Sequence, residues 1–427
     1  MTSNLELCRI IDRQIQQSPN QRIPFAEYMD CVLYHPQHGY YNGKGKLGAP
    51  GDFVTSVHLC SDFGETLARQ FFEMWQFLDC PQPFYLVEMG AGQGILAGDV
   101  LKIIQTQYLD FFEAIEYIII EKSSSLKREQ KQRLERQFET ENVRSKSIRW
   151  CDWEEIAPDS IVGCFFSNEL VDAFPVHQFA VSEGKLKEVY VTRSPENTPE
   201  NAPENPPKNG AQWVGQFIET IDEPSTPELA KYFEAIDIDL STYPNGFRSE
   251  VNLAARPWIE TVAERLQRGY ILTIDYGYRA ERYYSLGRSS GTLQCYYQHR
   301  HHDNPYVNIG HQDITAHVNF TALERWGESC GLSTLGFTQQ GLFLMALGWG
   351  ERLATLGQPS LAGENRTASA QDIATIMQRR QVLHSLIDPM GLGGFGVLVQ
   401  SRGLSATQKE QLLAGLREPT EERTIQR

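Results

Sequence analysis

From residue 84 onward, short apolar runs alternate with longer segments whose apolar positions recur every three or four residues. A short continuous apolar run is typical of a buried strand, and the longer spacing is typical of one helical face. The runs predict strands at 84–88, 117–121, 147–150, 161–166, 270–275, 332–338 and 395–399. The amphipathic segments predict helices at 95–108, 123–139 and 253–268. This alternation predicts an α/β protein with a doubly wound, mainly parallel sheet that binds its ligand at the carboxyl ends of the strands.

The pattern changes at both ends of the chain and after the fourth strand. Residues 1–83 predict helices followed by a glycine-rich loop, and residues 403–427 predict a polar tail. Between them lies the α/β core at 84–402, which carries an insertion at 176–250. Within the insertion, residues 195–209 contain Pro-Glu-Asn three times at a four-residue period. Such a short, polar repeat buries little apolar surface, so we expect a flexible surface segment there.

Composition narrows the functional classes. The 427 residues carry a formal net charge of −15, with 41% hydrophobic and 22% charged residues. A nucleic-acid ligand is disfavoured because its binding depends on Lys and Arg, whereas a cationic or Arg-bearing protein partner suits an acidic surface. The eight cysteines form no C-x-x-C pair, which favours a reducing compartment. No apolar run approaches the ~18 residues of a membrane span, and no secretory segment is evident, so we expect a cytoplasmic protein.

The first predicted strand leads into a glycine-rich turn. Glu88 ends the apolar run, and Gly90, Gly92 and Gly94 follow before the first helix. Glycines at such a turn let the backbone approach a ligand without an intervening Cβ. The second strand ends in Glu121, whose carboxylate can accept hydrogen bonds from the two hydroxyls of a ribose. An acid two residues before the first glycine, with an acid closing the next strand, indicates an S-adenosylmethionine site and therefore a methyltransferase.

Two other interpretations of the same turn remain. Gly92-x-Gly94-x-x-Ala97 also fits the dinucleotide pattern G-x-G-x-x-G/A, which would indicate a nicotinamide oxidoreductase. In that register, however, Glu121 follows Gly94 by 121 − 94 = 27 residues, farther than the ~20 of a dinucleotide site. The glycines could also form a tight turn that binds nothing. Glu88 and Glu121 favour an adenosyl cofactor over a dinucleotide and over a turn without a ligand.

Polar residues leaving the fourth and fifth strands are the candidates for catalysis. Asn168, Glu169 and Asp172 follow the fourth strand, at the position that faces the methyl-donating sulfonium in this fold. If they begin a helix, Glu169 and Asp172 share one helical face. The competing structural interpretation is an Asn168 cap with acids in the first helical turn. Asp275, which ends the fifth strand, is a further catalytic candidate, although a capping or turn residue fits there too.

Five of the ten histidines lie within 19 residues, namely His299, His301, His302, His311 and His317. Such clusters occur in metal sites. This one has no His-x-x-x-His pair and no thiolate partner, and Asp313-Ile314-Thr315 resembles the start of a helix. We therefore predict no metal, and interpret the segment as a polar loop that faces the substrate or is internally hydrogen-bonded.

Taken together, these sequence motifs resemble those of the MidA-like family, which includes the mitochondrial complex I assembly-factor methyltransferase. The resemblance spans roughly residues 24 to 400. The matching strings are Tyr34-His35-Pro36, Gly39-Tyr40-Tyr41, Gly51-Asp52-Phe53, Thr55-Ser56, Phe63-Gly64-Glu65, Glu88-Met89-Gly90 through Gly94, Asn168-Glu169, Asp172-Ala173, Asp275-Tyr276-Gly277, Gly291-Thr292-Leu293, His299, Gln312-Asp313-Ile314-Thr315 and His317-Val318. One departure is Val57-His58, where the family usually has Pro-Glu after Thr55-Ser56.

The resemblance implies a Rossmann-like class I methyltransferase that methylates a protein arginine on a subunit of the respiratory complex I type during assembly. We add Asp52, Thr55, Ser56 and Asp152 to the predicted cofactor-binding residues. Glu169 and Asp172 could clamp the guanidinium, which is always protonated and matches carboxylates in bidentate geometry. The alternative is a non-catalytic assembly factor that retains the fold. The sequence gives no oligomeric state.

Overall fold

The computed structural model describes residues 3–42, 55–141, 148–194, 217–356 and 370–418. Its strands are β1 (Arg22–Pro24), β2 (Phe84–Met89), β3 (Ile115–Ile120), β4 (Arg149–Cys151), β5 (Ile161–Asn168), β6 (His177–Ser182), β7 (Lys185–Arg193), β8 (Phe217–Asp222), β9 (Arg248–Val251), β10 (Leu266–Asp275), β11 (Gly277–Tyr278), β12 (Gln294–Tyr297), β13 (Arg300–His302), β14 (Asp313–Thr315), β15 (Val318–Asn319), β16 (Ser333–Gln339) and β17 (Gly396–Arg402). Its α-helices are α1 (Leu5–Gln17), α2 (Phe25–Tyr34), α3 (Ser56–Leu59), α4 (Asp62–Phe77), α5 (Ile95–Gln107), α6 (Leu109–Ala114), α7 (Ser124–Glu141), α8 (Glu228–Ala235), α9 (Ala255–Arg265), α10 (Ala280–Tyr283), α11 (Phe320–Ser329), α12 (Gln340–Ala346), α13 (Trp349–Thr355), α14 (Ala370–Ile387) and α15 (Ala406–Glu410).

The central sheet has seven strands in the order β16-β17-β10-β5-β2-β3-β4. The five strands from β10 to β4 are parallel, and β17 runs antiparallel to both of its neighbours. The chain first builds outward from β2 to β4 and then returns to add β5 and β10 on the other side. The strand order therefore reverses between β2 and β5, the place where open α/β sheets bind ligands.

All seven predicted strands and all three predicted helices are present, each with ends within four residues of the predicted ones. The α/β class expected from the pattern is confirmed. The largest discrepancy is where α9 meets β10: α9 was predicted to run to residue 268 but ends at Arg265, and β10 begins four residues before the predicted position 270. Leu266 instead begins β10 by pairing with Ile161 of β5, because tertiary pairing outweighs a helical periodicity.

Apolar side chains of the central sheet alternate between two cores, as the period of two in a strand requires. Leu86 of β2 packs on one face of the sheet with α4, α5 and the helices α12 to α14. Val87 packs on the other face with α9 and α11. A second sheet of five antiparallel strands, β1-β7-β6-β9 with β8 beside β7, covers part of this second face. Most of it lies within residues 176–250, over which the sequence predicts an insertion. The segment 195–209 lies outside the described residues.

Two expectations outside the core need correction. The N-terminal region is helical apart from the short β1, which pairs with β7, so α1 and α2 pack on the second sheet through Val191 and Phe217. The expected polar tail is also wrong over 403–418, because Leu404 and Leu413 are buried in the main core. Leu404 stands among polar residues in the sequence, and only its packing against the main core explains its burial.

Candidate active site

A cleft opens at the carboxyl ends of β2, β3 and β5. Its lining has two chemically different parts. The glycine-turn part is formed by Glu88, Gly90, Ala91, Gly92, Gln93, Leu96, Glu121 and Leu126. The acidic part is formed by Tyr34, Tyr41, Asn168, Glu169, Asp172 and Asp313. The two predicted groups of site residues therefore share one cavity.

The glycine turn between β2 and α5 has a left-handed backbone conformation at each of its three glycines. Gly90, Gly92 and Gly94 have φ angles of +70°, +52° and +76°. A Cβ added at Gly92 would meet no atom of the described chain within 4 Å, although the residue lines the cleft. The open side of Gly92 is thus a place where a ligand can lie directly on the backbone. This geometry fits the methionine part of an adenosyl cofactor.

The carboxyl group of Glu88 lies beneath the turn and is almost fully buried. Its Oε2 accepts a hydrogen bond of 2.7 Å from the hydroxyl of Tyr117 on β3. Burial raises the pKa of Glu88 to about 7, although the Tyr117 hydrogen bond favours the ionised form. Glu88 is therefore a polar group inside the cleft that the fold holds in one orientation.

Glu121, at the end of β3, is held by two donors. Its Oε1 accepts from the backbone N–H of Ser123 at 2.9 Å, and its Oε2 accepts from Nε2 of Gln130 at 3.0 Å. Burial raises the pKa of this carboxyl group. Each oxygen retains a further lone pair, so the carboxylate can still accept hydrogen bonds from ribose hydroxyls.

Gln130 on α7 was not identified from the sequence. Besides Glu121, its Nε2 donates to the carbonyl of Gly92 at 2.9 Å, and its Oε1 accepts from the indole of Trp150 at 2.9 Å. One buried amide thus connects the glycine turn to the acid of β3. The signal that could have found it is its position on the apolar stripe Leu126, Leu134 and Phe138, where a polar residue needs partners.

The segment before α4 meets the cleft through Thr55 and His58. The Thr55 hydroxyl and Nδ1 of His58 are 2.7 Å apart, and Nε2 of His58 lies 3.2 Å from Oε1 of Gln93 in the glycine turn. His58, which stands where the family usually has Glu, therefore links α3 to the glycine turn. Ser56 is buried beside the cleft, and Asp52 lies outside the described residues.

Asp152, predicted to bind the cofactor, lies outside the described cleft lining. Its side chain is 61% exposed, and Oδ1 accepts a hydrogen bond of 2.7 Å from Nζ of Lys127. It also caps the short helix that follows β4, with Glu155 completing the capping box. Cys151, the last residue of β4, pairs with Ile120 of β3, so Asp152 leaves β4 at the level of Glu121, and its role in cofactor binding stays a prediction.

Glu169 enters the cleft through a strained turn. Its φ is +53°, a left-handed conformation that non-glycine residues seldom adopt, and its backbone N–H donates to the carbonyl of Ile274 at 2.9 Å. Oε1 accepts from Nδ2 of Asn168 at 3.0 Å and from the Ser56 N–H at 3.3 Å. Backbone strain of this kind concentrates at functional positions. Burial, with Asp172 nearby, raises the pKa of Glu169 to about 8.

Asp275, predicted as a catalytic candidate, lies outside the described cleft lining. It is fully buried, and Oδ2 accepts from the successive N–H groups of Leu170, Val171 and Asp172 at 3.2, 2.8 and 3.3 Å. Oδ1 accepts from the N–H of Tyr276 at 2.8 Å. Asp275 is therefore a positioning residue that fixes the backbone carrying Asp172.

Asp172 lies in a three-residue 3₁₀-helix, Val171–Ala173, and not in the α-helix expected after β5. The shared helical face predicted for Glu169 and Asp172 is therefore wrong, because the chain reverses at Glu169 before the short helix begins. The two side chains nevertheless reach the same cleft. Oε2 of Glu169 and Oδ1 of Asp172 are buried and have no hydrogen-bond partner among the described residues.

The histidine-rich segment contributes little to the cleft. His301 and His302 lie in β13, and His317 stacks on Tyr276 with ring centroids 6.0 Å apart. Asp313-Ile314-Thr315, predicted to start a helix, forms β14, because Ile314 pairs with Cys295 of β12. In the described ranges, no three His, Cys, Asp or Glu side chains are grouped so that they could hold a metal ion.

Three comparisons with known proteins all indicate a methyltransferase. A family model described as an S-adenosyl-L-methionine-dependent methyltransferase matches residues 66–338. The chain is 30% identical to the Drosophila melanogaster homologue of protein arginine methyltransferase NDUFAF7, with 78% of the chain and 73% of the relative covered. The chain is 29% identical to the Homo sapiens protein NDUFAF7, with 78% of this chain and 72% of the human protein covered. A Burkholderia thailandensis protein solved with S-adenosyl-homocysteine has a TM-score of 0.77 and 29% identity, with 97% of this chain and 95% of that chain covered.

The comparisons also correct the expected location. The Drosophila and human relatives are mitochondrial proteins, which contradicts the cytoplasmic location predicted from the sequence. Within the described ranges, no helix is both long enough and apolar enough to span a lipid bilayer.

Proposed function

The chain belongs to a family of S-adenosyl-L-methionine-dependent methyltransferases, and from this premise we propose that it methylates an arginine side chain of a protein. The observation that carries the proposal is the pair of buried carboxyl oxygens, Oε2 of Glu169 and Oδ1 of Asp172, without partners in the described part of the chain. They lie in the same cleft as the glycine turn. Buried carboxylate oxygens are stabilised by a cationic ligand.

The glycine-turn part of the cleft fits S-adenosyl-L-methionine, the cofactor of the family. Gly92 offers backbone with open space beside it, and Glu121 offers a carboxylate for the ribose hydroxyls. Leu96 and Leu126 supply apolar walls. When bound, the cofactor supplies a methyl group carried on a sulfonium. Gln130 maintains the relative position of Gly92 and Glu121 through its two hydrogen bonds.

The acidic part of the cleft suits a guanidinium better than a neutral acceptor. A guanidinium remains protonated at physiological pH and presents five N–H donors in a planar fork. Carboxylates on one side of that fork orient it and direct positive charge away from the nitrogen that forms the new N–C bond. A guanidinium nitrogen that receives the methyl group would have to lose a proton. Glu169, with its raised pKa, is placed to accept it.

The relatives named above are protein arginine methyltransferases, which supports the choice of arginine over other cations. The formal net charge of −15 favours a basic partner surface. We place the acceptor arginine on a subunit of the respiratory complex I type, as the family resemblance implies. The enzyme would then act on that subunit during assembly.

Methyl transfer into protein extract tests the acceptor class. The purified protein is incubated with methyl-labelled S-adenosyl-L-methionine and extract from cells that lack the gene, and the labelled residue is identified after complete hydrolysis. We expect label in methylarginine, and mass spectrometry of the labelled protein to identify a complex I type subunit. Label in methyllysine contradicts the arginine proposal. Cofactor binding without any labelled acceptor supports the non-catalytic assembly factor instead.

Glu121→Ala is expected to weaken S-adenosyl-L-methionine binding by about 1.5–3 kcal/mol, the range for a hydrogen bond that involves a charged group. The loss should affect affinity and not turnover at saturating cofactor, because Glu121 is placed at the ribose and not at the acceptor. Isothermal titration with S-adenosyl-L-methionine measures the dissociation constants of the variant and of the wild-type protein. Glu116→Ala is the matched control, since Glu116 is an exposed acid on the same strand. An unchanged dissociation constant for Glu121→Ala would mean that the ribose is held elsewhere.

A further inference from the structure

Two residues of the acidic part have no role in the scheme above. Tyr41 follows α2, and Asp313 begins β14, 272 positions later in the chain. The hydroxyl of Tyr41 donates to Oδ1 of Asp313 at 2.9 Å, and both side chains line the cleft. The backbone N–H of Ile314 also donates to that oxygen at 2.9 Å. Two donors thus fix the orientation of the Asp313 carboxyl group.

Tyr41 also contacts the other part of the cleft. Its backbone carbonyl accepts a hydrogen bond of 3.1 Å from Oγ of Ser123, whose N–H donates to Glu121. One residue therefore connects the acid placed at the ribose to an acid in the acceptor part. The ring of Tyr41 is fixed as well, because it stacks on Tyr34 with centroids 5.3 Å apart.

Asp313 lies close to the carboxyl groups already assigned to the acceptor. The backbone carbonyl of Asp172 accepts from the N–H of Ala316 at 2.9 Å, which ties the segment after β14 to the 3₁₀-helix. The proximity of Asp313 also contributes to the raised pKa of Asp172, after burial and Asp275. Asp172 is only 5% exposed, and its buried Oδ1 has no partner in the described ranges, so the cluster offers an oxygen with which a ligand can pair.

We propose that Asp313 is a third carboxylate that binds the acceptor guanidinium, and that Tyr41 is the positioning residue that orients it. This inference rests on the proposed arginine acceptor. Three carboxyl groups from two segments, the turn after β5 and the start of β14, can each engage one edge of the five-donor guanidinium fork. A lysine ammonium has three donors on one nitrogen, so it can pair with fewer of these carboxyl groups at once. Asp313 is therefore a determinant of specificity for arginine over lysine.

The test measures binding of two probes, N-acetyl-arginine amide and N-acetyl-lysine amide, to the full chain saturated with S-adenosyl-homocysteine, by ligand-detected NMR. Tyr41→Phe keeps the ring and removes the hydroxyl, and Asp313→Asn removes the charge. Tyr28→Phe is the matched control, because it removes another buried tyrosine hydroxyl, which donates to the carbonyl of Pro305 at 2.8 Å. Affinity for S-adenosyl-homocysteine is measured in parallel.

We expect both variants to bind the arginine probe on the order of 10-fold more weakly, with a smaller preference over the lysine probe. Affinity for S-adenosyl-homocysteine should change by less than about 2-fold, and Tyr28→Phe should match the wild-type protein on both measurements. If Tyr41 acts through Asp313, the double variant should be no weaker than Asp313→Asn alone, which a merely structural role of Tyr41 would not produce.

The outcomes separate this inference from the function on which it rests. Wild-type arginine binding that both variants retain overturns the role of Asp313 while leaving the arginine acceptor in place. A wild-type protein that binds the lysine probe as well as the arginine probe, or binds neither, overturns the acceptor class and this inference with it. Tyr41→Phe preserves ring packing, so its result decides the question even if Asp313→Asn does not fold.

Discussion

Gly92→Val is expected to abolish S-adenosyl-L-methionine binding while the protein still folds. The residue lines the cleft with φ of +52°, and a Cβ there would meet no atom of the described chain. The added side chain therefore fills only the space beside the backbone into which a ligand would fit. The conformational cost of a branched residue in a left-handed position is roughly 1–2 kcal/mol, which a domain of ordinary stability tolerates.

Isothermal titration with the cofactor, alongside thermal unfolding, measures both parts of this prediction. Gly246→Val is the matched control, because Gly246 also has a left-handed φ of +82° and open space around its Cβ position, but lies in an exposed turn before β9 and outside the described cleft lining. Both variants should lose similar stability, and only Gly92→Val should lose the cofactor. Tight binding by a folded Gly92→Val variant would show that the cofactor lies elsewhere.

Glu169→Gln should reduce methyl transfer on the order of 10²-fold and leave cofactor affinity nearly unchanged. The amide keeps the shape of the side chain but can neither balance the guanidinium charge nor accept the proton released from the methylated nitrogen. The hydrogen bonds from Asn168 and from the Ser56 N–H should survive in part, because the amide oxygen can still accept them. The loss should therefore be chemical and not structural.

Single-turnover methylation of extract, with saturating labelled cofactor, gives the rate for this comparison. Glu183→Gln is the matched control, because Glu183 also has a left-handed φ, +51°, but is exposed between β6 and β7. Removing that charge should leave the rate at the wild-type level. If Glu169→Gln methylates normally and is only less stable, Glu169 serves the turn after β5, and Asp172 and Asp313 become the candidates for proton transfer.

The sequence by itself determined the features that depend on local patterns. Apolar runs and helical periodicity predicted the strands and helices of the central sheet, because burial of an apolar face largely decides those elements. The glycines and acids at strand ends predicted one shared site, since parallel strands bring their carboxyl ends to the same edge. The sequence alone therefore predicts Gly92, Glu121, Glu169 and Asp172 as site residues.

Only the tertiary structure decided which of these polar groups are available to a ligand. Asp275 was a further catalytic candidate in the sequence, but three backbone N–H groups donate to its Oδ2. Tyr41 and Asp313 meet across 272 positions, and no local pattern encodes that hydrogen bond. Whether a buried carboxylate is satisfied or must bind a cation depends on donors brought from distant segments. Packing of the whole chain places those donors, whereas sequence periodicity reports only which side of an element is buried.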